Sequence, residues 1–245
     1  MLNRWARYLP IIDFLKATKP EEILEVGSGS YGLAEFCQRK IVGCDICFPG
    51  AAAPNLIPLL GSCFALPFPE NAFDLVVSMD MLEHLLRKDR PKAIEEFIRV
   101  SSKHIVMGFP SGKRARAWDF RLLRCCNGFG WDVPDWLIEH SRIEFPDEKE
   151  ISRLLDKLGA RYVVRRNENI VVHFLIMVGE MTRFTRGIFR VLIGHRKIGS
   201  HVLRCLTFGK AYRTIFFISK QTPTPWAKEG DSSFHSERDP SSGLS

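Results

Sequence analysis

Glu25-Val26-Gly27-Ser28-Gly29-Ser30-Tyr31-Gly32, with Asp45 eighteen positions beyond Gly27, is the stretch that decides the fold. A short apolar run, Ile23-Leu24-Glu25-Val26, predicts a buried strand, and the glycines after it predict a tight loop. Small side chains there let the backbone approach a ligand closely, and a helix start over about Tyr31 to Gln38 would offer unpaired N–H groups. Ile41-Val42-Gly43-Cys44-Asp45 predicts the second strand, ending on an acid. A G-x-G turn by itself does not choose among nucleotide ligands, so the surrounding residues must.

Outward from this unit, residues 4 to 17 predict a lead-in helix that Pro10 interrupts. Leu56 to Leu60 predicts a third strand, and Phe73-Asp74-Leu75-Val76-Val77-Ser78 a buried fourth. Arg90 to Ser101 predicts an amphipathic helix and Lys103 to Phe109 a fifth strand closed by Pro110. Residues 111–145 are expected to be a loop-rich region on the acceptor side, on the strength of their Gly and Trp content. A helix from about Pro146 to Leu158, a sixth strand over Arg161 to Arg166 and a last strand over Thr214 to Ser219 complete the series. Strands alternating with helices favour a parallel sheet with helices on its faces.

With 245 residues, 45% of them hydrophobic, the chain can bury one substantial core, here placed over residues 1–220. Residues 221–245 turn to Pro, Ser, Glu and Asp and are expected to be a disordered tail. No run reaches the roughly 20 apolar residues of a membrane span, and the start lacks the pattern of a signal peptide. Seven cysteines without a His/Cys cluster at zinc spacing point to a reducing, cytoplasmic setting, and no metal site is expected. Residues 161 to 220 hold twelve Lys/Arg against two Asp/Glu, so the net +7 of the chain leaves the remainder slightly acidic.

The two acids narrow the ligand. Glu25, two residues before the first glycine, would oppose a phosphate but suit an amino group, and Asp45 at a strand end suits the two hydroxyls of a ribose. S-adenosyl-L-methionine carries both groups. Glu25-Val26-Gly27-Ser28-Gly29, Asp45, Leu66-Pro67-Phe68, Phe73 to Ser78 and Leu82-Glu83-His84-Leu85 resemble, in order and spacing, the class I S-adenosylmethionine-dependent methyltransferases, most closely the type 11 small-molecule group. The resemblance implies a Rossmann-like α/β fold: a mostly parallel seven-stranded sheet flanked by helices. It implies that Gly27, Ser28 and Gly29 line the methionine part of the cofactor, that Glu25 reaches its amino group, and that Asp45 with Ile46 holds the ribose. Ser62 and Cys63 stand where the family often has Asp-Ala before Leu-Pro-Phe, the Asp meeting adenine; Ser78 and Met79 follow onto the cofactor's amino end.

The acceptor is less constrained. His84, His140 and Asp80 are candidates for the base that a hydroxyl acceptor needs, and no amine-methylation motif follows the fourth strand. Oxygen of a small, glycan or lipid-linked acceptor is the expectation. Residues 168–212 are read as a basic amphipathic insertion before the last strand, with Arg183, Arg186 and Arg190 on one face suited to an anionic membrane. The competing readings are a non-enzymatic module of the same fold docking on membrane or nucleic acid through its basic half, and a nucleic-acid methyltransferase.

Overall fold

The computed structural model describes residues 2–181 and 209–220. Seven strands form one sheet in the order β3-β2-β1-β4-β5-β7-β6: β1 Ile23–Val26, β2 Ile41–Asp45, β3 Leu56–Leu60, β4 Phe73–Met79, β5 Ser101–Pro110, β6 Arg161–Asn169 and β7 Ala211–Ser219. Pairing is parallel from β3 through β5, and β7 runs antiparallel to both β5 and β6. This is the seven-stranded Rossmann-like α/β sheet that the motifs imply.

Period-two alternation sorts the core onto the two faces. Leu75 and Val77 of β4, Val106 of β5 and Ile215 and Phe217 of β7 pack against Tyr8, Ile11, Phe14 and Leu15 of helix α1 (Leu2–Thr18). Val76, Ile105, Met107, Phe216 and Ile218 face the other way, onto Ala93, Ile94 and Phe97 of α2 (Arg90–Val100). Pro10 does not break α1. A proline has no N–H for the carbonyl four residues earlier; the Ala6 carbonyl accepts instead from Asn167 Nδ2 at 3.1 Å.

Two expectations are corrected. The glycine loop leads not into a helix over Tyr31 to Gln38 but into one 3-10 turn, Gly32–Glu35. Asn55 Nδ2 donates to the Cys37 and Arg39 carbonyls at 2.8 and 2.7 Å, holding the chain in an irregular path back to β2. Residues 111–145, expected to be loop-rich, form α3 (Gly112–Phe129) and α4 (Asp135–Arg142). Ala115, Asp119, Leu122 and Cys126 are buried at i, i+4, i+7 and i+11, the stripe of an amphipathic helix. The glycines that suggested turns lie at its end: Gly130 caps it with φ +66°.

Helix α5 (Glu148–Lys157) leads into β6, and α6 (Ile170–Met181) follows it. Residues 170–181, expected to open the basic insertion, contain no Lys or Arg. Ile176 of α6 packs with Ala6 and Leu9 of α1, and Met177 with Leu122 and Cys126 of α3. Arg183, Arg186 and Arg190 lie outside the described residues, as does the tail expectation for 221–245. Among the described residues no helix is long and apolar enough to cross a membrane.

The strand order reverses between β1 and β4, and ligands of open α/β sheets bind outside the carboxyl ends at such a point. Here the Gly27 loop and the Asp80–His84 turn emerge side by side. Because β7 runs backwards, its first residues reach this same end: Arg213 pairs with Pro110, the last residue of β5, and with Asn167 of β6.

Candidate functional site

The glycine loop is held from below. Gly27, Gly29 and Gly32 have φ of +80°, +52° and +46°, a region that residues with a Cβ avoid. The Gly27 amide donates to the Cys44 carbonyl at 2.9 Å and the Gly29 amide to Asp45 Oδ2 at 2.7 Å. Glu25 is fully buried beneath the loop, where a Cβ on Gly32 would lie 2.0 Å from its Oε2. The Leu33 amide donates to Oε2 and the Tyr8 hydroxyl to Oε1, each at 2.7 Å. Burial pushes the Glu25 carboxyl up to about 7 despite these two donors. Both oxygens therefore brace the loop.

Asp45 stands at the carboxyl end of β2, with its second oxygen 3.3 Å from the Cys47 amide. Beside it Ile46 is 81% exposed, and Leu60, at the end of β3, 72%. A Cβ on Gly29 would meet nothing within 4 Å, so the loop is open on that side. A half-buried carboxylate, an open glycine backbone and two bare apolar side chains fit a ribose carrying a flat base. Ser28 is buried, its hydroxyl donating to the Gly29 carbonyl at 3.0 Å, and Gly43 leaves it room. Ser62 Oγ accepts from the Phe64 amide at 3.2 Å, and Cys63 packs on the core. Ser78 and Met79 are both buried, and Met79 lies against Gly108, so only their backbone is available to a ligand. Met81 covers Gly27, where a Cβ would come within 2.8 Å of its side chain.

Beyond Met81 lies a cavity of about 250 Å³ lined by charged and aromatic side chains. Arg213, 1% exposed, clamps Asp80 with Nε and Nη2, each 2.6 Å from a carboxylate oxygen, and holds Glu168 through Nη1 at 2.6 Å. Arg7 adds a contact to Asp80 at 2.8 Å. Burial alone would raise the Asp80 carboxyl, but Arg213 and Arg7 outweigh it and hold it well below the usual carboxylate range. Asp80, named from the sequence as a candidate base, lies in this cavity as an ionised partner of two guanidiniums, which makes it a poor receiver of protons.

His84 and His140, 56 positions apart in sequence, come together with ring centroids 5.2 Å apart. His84 Nδ1 lies 2.7 Å from Glu139 Oε2, and His140 Nδ1 2.7 Å from Asp119 Oδ2. Asp119 also accepts from the Tyr212 hydroxyl at 3.0 Å. Each Nε2 is left without a hydrogen-bond partner among the described residues. Burial and the neighbouring His140 lower the His84 pKa, which favours a neutral ring. Glu83 is 1% exposed, and neither of its carboxylate oxygens has a partner among the described residues. Burial, then nearby Asp80, raises its carboxyl well above the ordinary value.

Sequence reasoning missed Arg7, Asp119, Glu168, His173, Tyr212 and Arg213. Two signals were available: Asp119 interrupts the apolar stripe of α3, and Arg213 is the one charged residue in β7. His173 stacks on Tyr212 at 3.5 Å and lies 3.1 Å from Glu168, closing the network from α6.

Residues 24–104 match the family model described as a methyltransferase domain. A comparison with curated proteins finds no match. Among solved structures, a Galdieria sulphuraria protein assigned provisionally as a sarcosine dimethylglycine methyltransferase is 17% identical, with a TM-score of 0.56 over 89% of this chain and 85% of that one. Phosphoethanolamine N-methyltransferase 2 of Haemonchus contortus, with phosphomonomethylethanolamine and S-adenosylhomocysteine bound, is 14% identical at a TM-score of 0.55, over 88% of this chain and 52% of that one. Magnesium protoporphyrin IX methyltransferase of Synechocystis, with S-adenosylhomocysteine bound, is 13% identical at 0.50, over 89% and 84%. At these identities the likeness establishes the fold.

Proposed function

We propose that this chain, which belongs to the class I S-adenosylmethionine-dependent methyltransferases through its residues 24–104, methylates an oxygen of a small, glycan or lipid-linked acceptor presented in the cavity beyond Met81. The observation that carries the acceptor chemistry is the pair of imidazoles at that cavity, each with Nδ1 engaged by a carboxylate and Nε2 without a hydrogen-bond partner among the described residues.

S-adenosylmethionine, held by the Gly27–Gly29 backbone, Asp45 and Ile46, would supply a methyl group on a sulfonium; the acceptor oxygen takes it as the C–S bond breaks and the sulfur keeps the electron pair. The rest falls to the chain's own residues. A neutral ring whose Nδ1–H is donated to a carboxylate has a lone pair on Nε2, so His84 or His140 can take the hydroxyl proton as oxygen becomes nucleophilic. Asp119 and Glu139 fix those tautomers, and Asp119 is itself fixed by Tyr212. Trp136 and Phe145 meet the His140 ring edge-on at 5.1 and 4.8 Å and keep it from turning. Asp80, doubly paired with Arg213 and Arg7, shapes and neutralises the cavity wall. A volume near 250 Å³ suits the reacting end of an acceptor, with any larger body outside.

Calorimetry with S-adenosylmethionine tests the donor half. Binding is expected in the micromolar range and lost in Asp45→Ala and Gly27→Arg; unchanged binding in both would sink the site. Transfer from methyl-labelled cofactor to a panel of hydroxylated metabolites, glycans and lipid-linked glycans tests the acceptor half. Label appearing only on amines, or only on nucleic acid, would replace this reading.

A further inference from the structure

We propose that Glu83, His84 and His140 form a three-ligand site for a divalent transition-metal cation at the carboxyl end of β4. One ligand atom from each residue, two imidazole nitrogens and a carboxylate oxygen, lies within 4.8 Å of the others. Around a cation bound at about 2.1 Å, such donors sit roughly 3 to 3.4 Å apart, so small rotations of three side chains would close the site.

Three independent features point to a cation. A carboxylate 1% exposed with both oxygens unpartnered among the described residues is costly to bury and calls for a positive charge. The two guanidiniums that act on it among the described residues, Arg213 and Arg7, are committed to Asp80 and Glu168. Further, metal-bound imidazoles ordinarily give their second nitrogen to a carboxylate, which orients the ring and makes the ligating nitrogen more basic. Both histidines here have that arrangement, His84 with Glu139 and His140 with Asp119. Two histidines whose rings lie 5.2 Å apart, tilted by 46°, beside one buried acid are otherwise hard to account for. An N₂O donor set suits zinc, cobalt, iron(II), manganese or nickel rather than magnesium or calcium. Three protein ligands leave coordination positions open toward the cavity, as catalytic rather than structural sites do.

Cation binding stands on this geometry alone; its part in the chemistry rests on the reading above. A hydroxyl bound to the cation would lose its proton to solvent water near neutral pH, and the two imidazoles would then hold the cation instead of receiving the proton. The two arrangements differ in one respect: the first is insensitive to chelators and the second is not.

The test uses the full chain dialysed against a chelator, titrated with Co²⁺ in the absence of S-adenosylmethionine and followed by calorimetry and by the visible bands of nitrogen-coordinated cobalt. One cation per chain is expected. Removing His84 or His140 as Ala should weaken it about 100-fold or more, and Asp119→Asn, which acts through His140, about 10-fold. Glu83→Gln provides the control for folding. It should raise the melting temperature of the metal-free protein, by removing a buried unpaired acid, and abolish the further rise that cobalt gives the parent. Absence of saturable binding, or binding unchanged in His140→Ala and Glu83→Gln, overturns the site. Failure of S-adenosylmethionine binding beside intact cobalt binding would instead overturn the methyl-transfer reading and leave the cation site standing. Turnover that survives chelation would remove the cation from the chemistry, and turnover restored by Co²⁺ or Zn²⁺ would place it there.

Discussion

Replacing Glu25 by Gln should stabilise the protein above neutral pH and leave it unchanged in mild acid. The Glu25 carboxyl is fully buried and titrates near 7 rather than 4.5. The folded state therefore holds this proton more tightly than the unfolded chain does. The stability that protonated Glu25 provides is complete below pH 4.5 and is lost as pH rises through 7. A shift from 4.5 to about 7, at about 1.4 kcal/mol per unit, makes the loss about 3 kcal/mol by pH 8. Gln keeps the shape and both hydrogen bonds: its oxygen accepts from the Leu33 amide and its NH₂ donates to the Tyr8 oxygen. Urea unfolding at intervals from pH 4 to pH 8.5, in both proteins, reads the difference directly. Burial lowers the pKa values of His84 and His104, and these oppose the trend, since their contribution is lost as pH falls. They are present in both proteins and cancel in the difference. The variant should gain about 3 kcal/mol at pH 8, roughly 6 to 12 °C in melting temperature for a chain of this size, and nothing at pH 4. A difference that stays flat across the range would refute the argument. So would a variant less stable at pH 8, because Glu25 would then be a charged anchor and not a buried acid.

Other perturbations separate support from contact. Arg213→Met leaves Asp80 and Glu168 buried without their main partner, and breaking such a network costs about 3–5 kcal/mol; chemical denaturation should register it. Gly32→Ala and Gly29→Ala both force a Cβ onto positive φ, at about 1–2 kcal/mol each, but only the first drives it into Glu25. The Gly32 variant should thus be the less stable by a clear margin in thermal melts, and equal losses would argue against the packing described. Tyr212→Phe removes a donor to Asp119 and should cost about 1–2 kcal/mol in denaturant titration, with the His140 imidazole resonances shifting in NMR spectra.

The strands β1, β2 and β5 were readable because each has an apolar run followed by punctuation: Gly27 after β1, Asp45 ending β2, Pro110 ending β5. Where reading failed, composition misled. Cys125-Cys126-Asn127-Gly128 and the tryptophans near them suggested turns, although the spacing of Ala115, Asp119, Leu122 and Cys126 already described one side of a helix. The glycine loop was legible as a tight turn after β1, but not the posture of Glu25, which depends on Tyr8 arriving from α1 to occupy one of its oxygens.

The charged cavity was out of reach for a different reason. No local pattern connects positions 7, 80, 168 and 213; only the sheet order does, by sending β7 back antiparallel so that Arg213 begins where β4 and β5 end. The backbone records the cost of that convergence. Asp80 and Glu168 are non-glycine residues with φ of +51° and +63°, and each supplies a carboxylate to Arg213. Strain of this kind amounts to about 1–3 kcal/mol per residue and persists only where surrounding contacts determine the position. Among those contacts, the ones the two residues share are the bonds to one buried guanidinium. Arg213 thereby holds two strained turns, one carrying Glu83 and His84 just beyond Asp80, the other leading into α6 and His173. Arg213→Lys tests this directly: a single ammonium cannot bridge both carboxylates in the guanidinium's planar geometry. Both turns should relax together, seen as coupled loss of hydrogen-exchange protection at residues 80–85 and 168–173. Loosening of one turn without the other would show that each is held by its own neighbours, and that the network is only a set of local pairs.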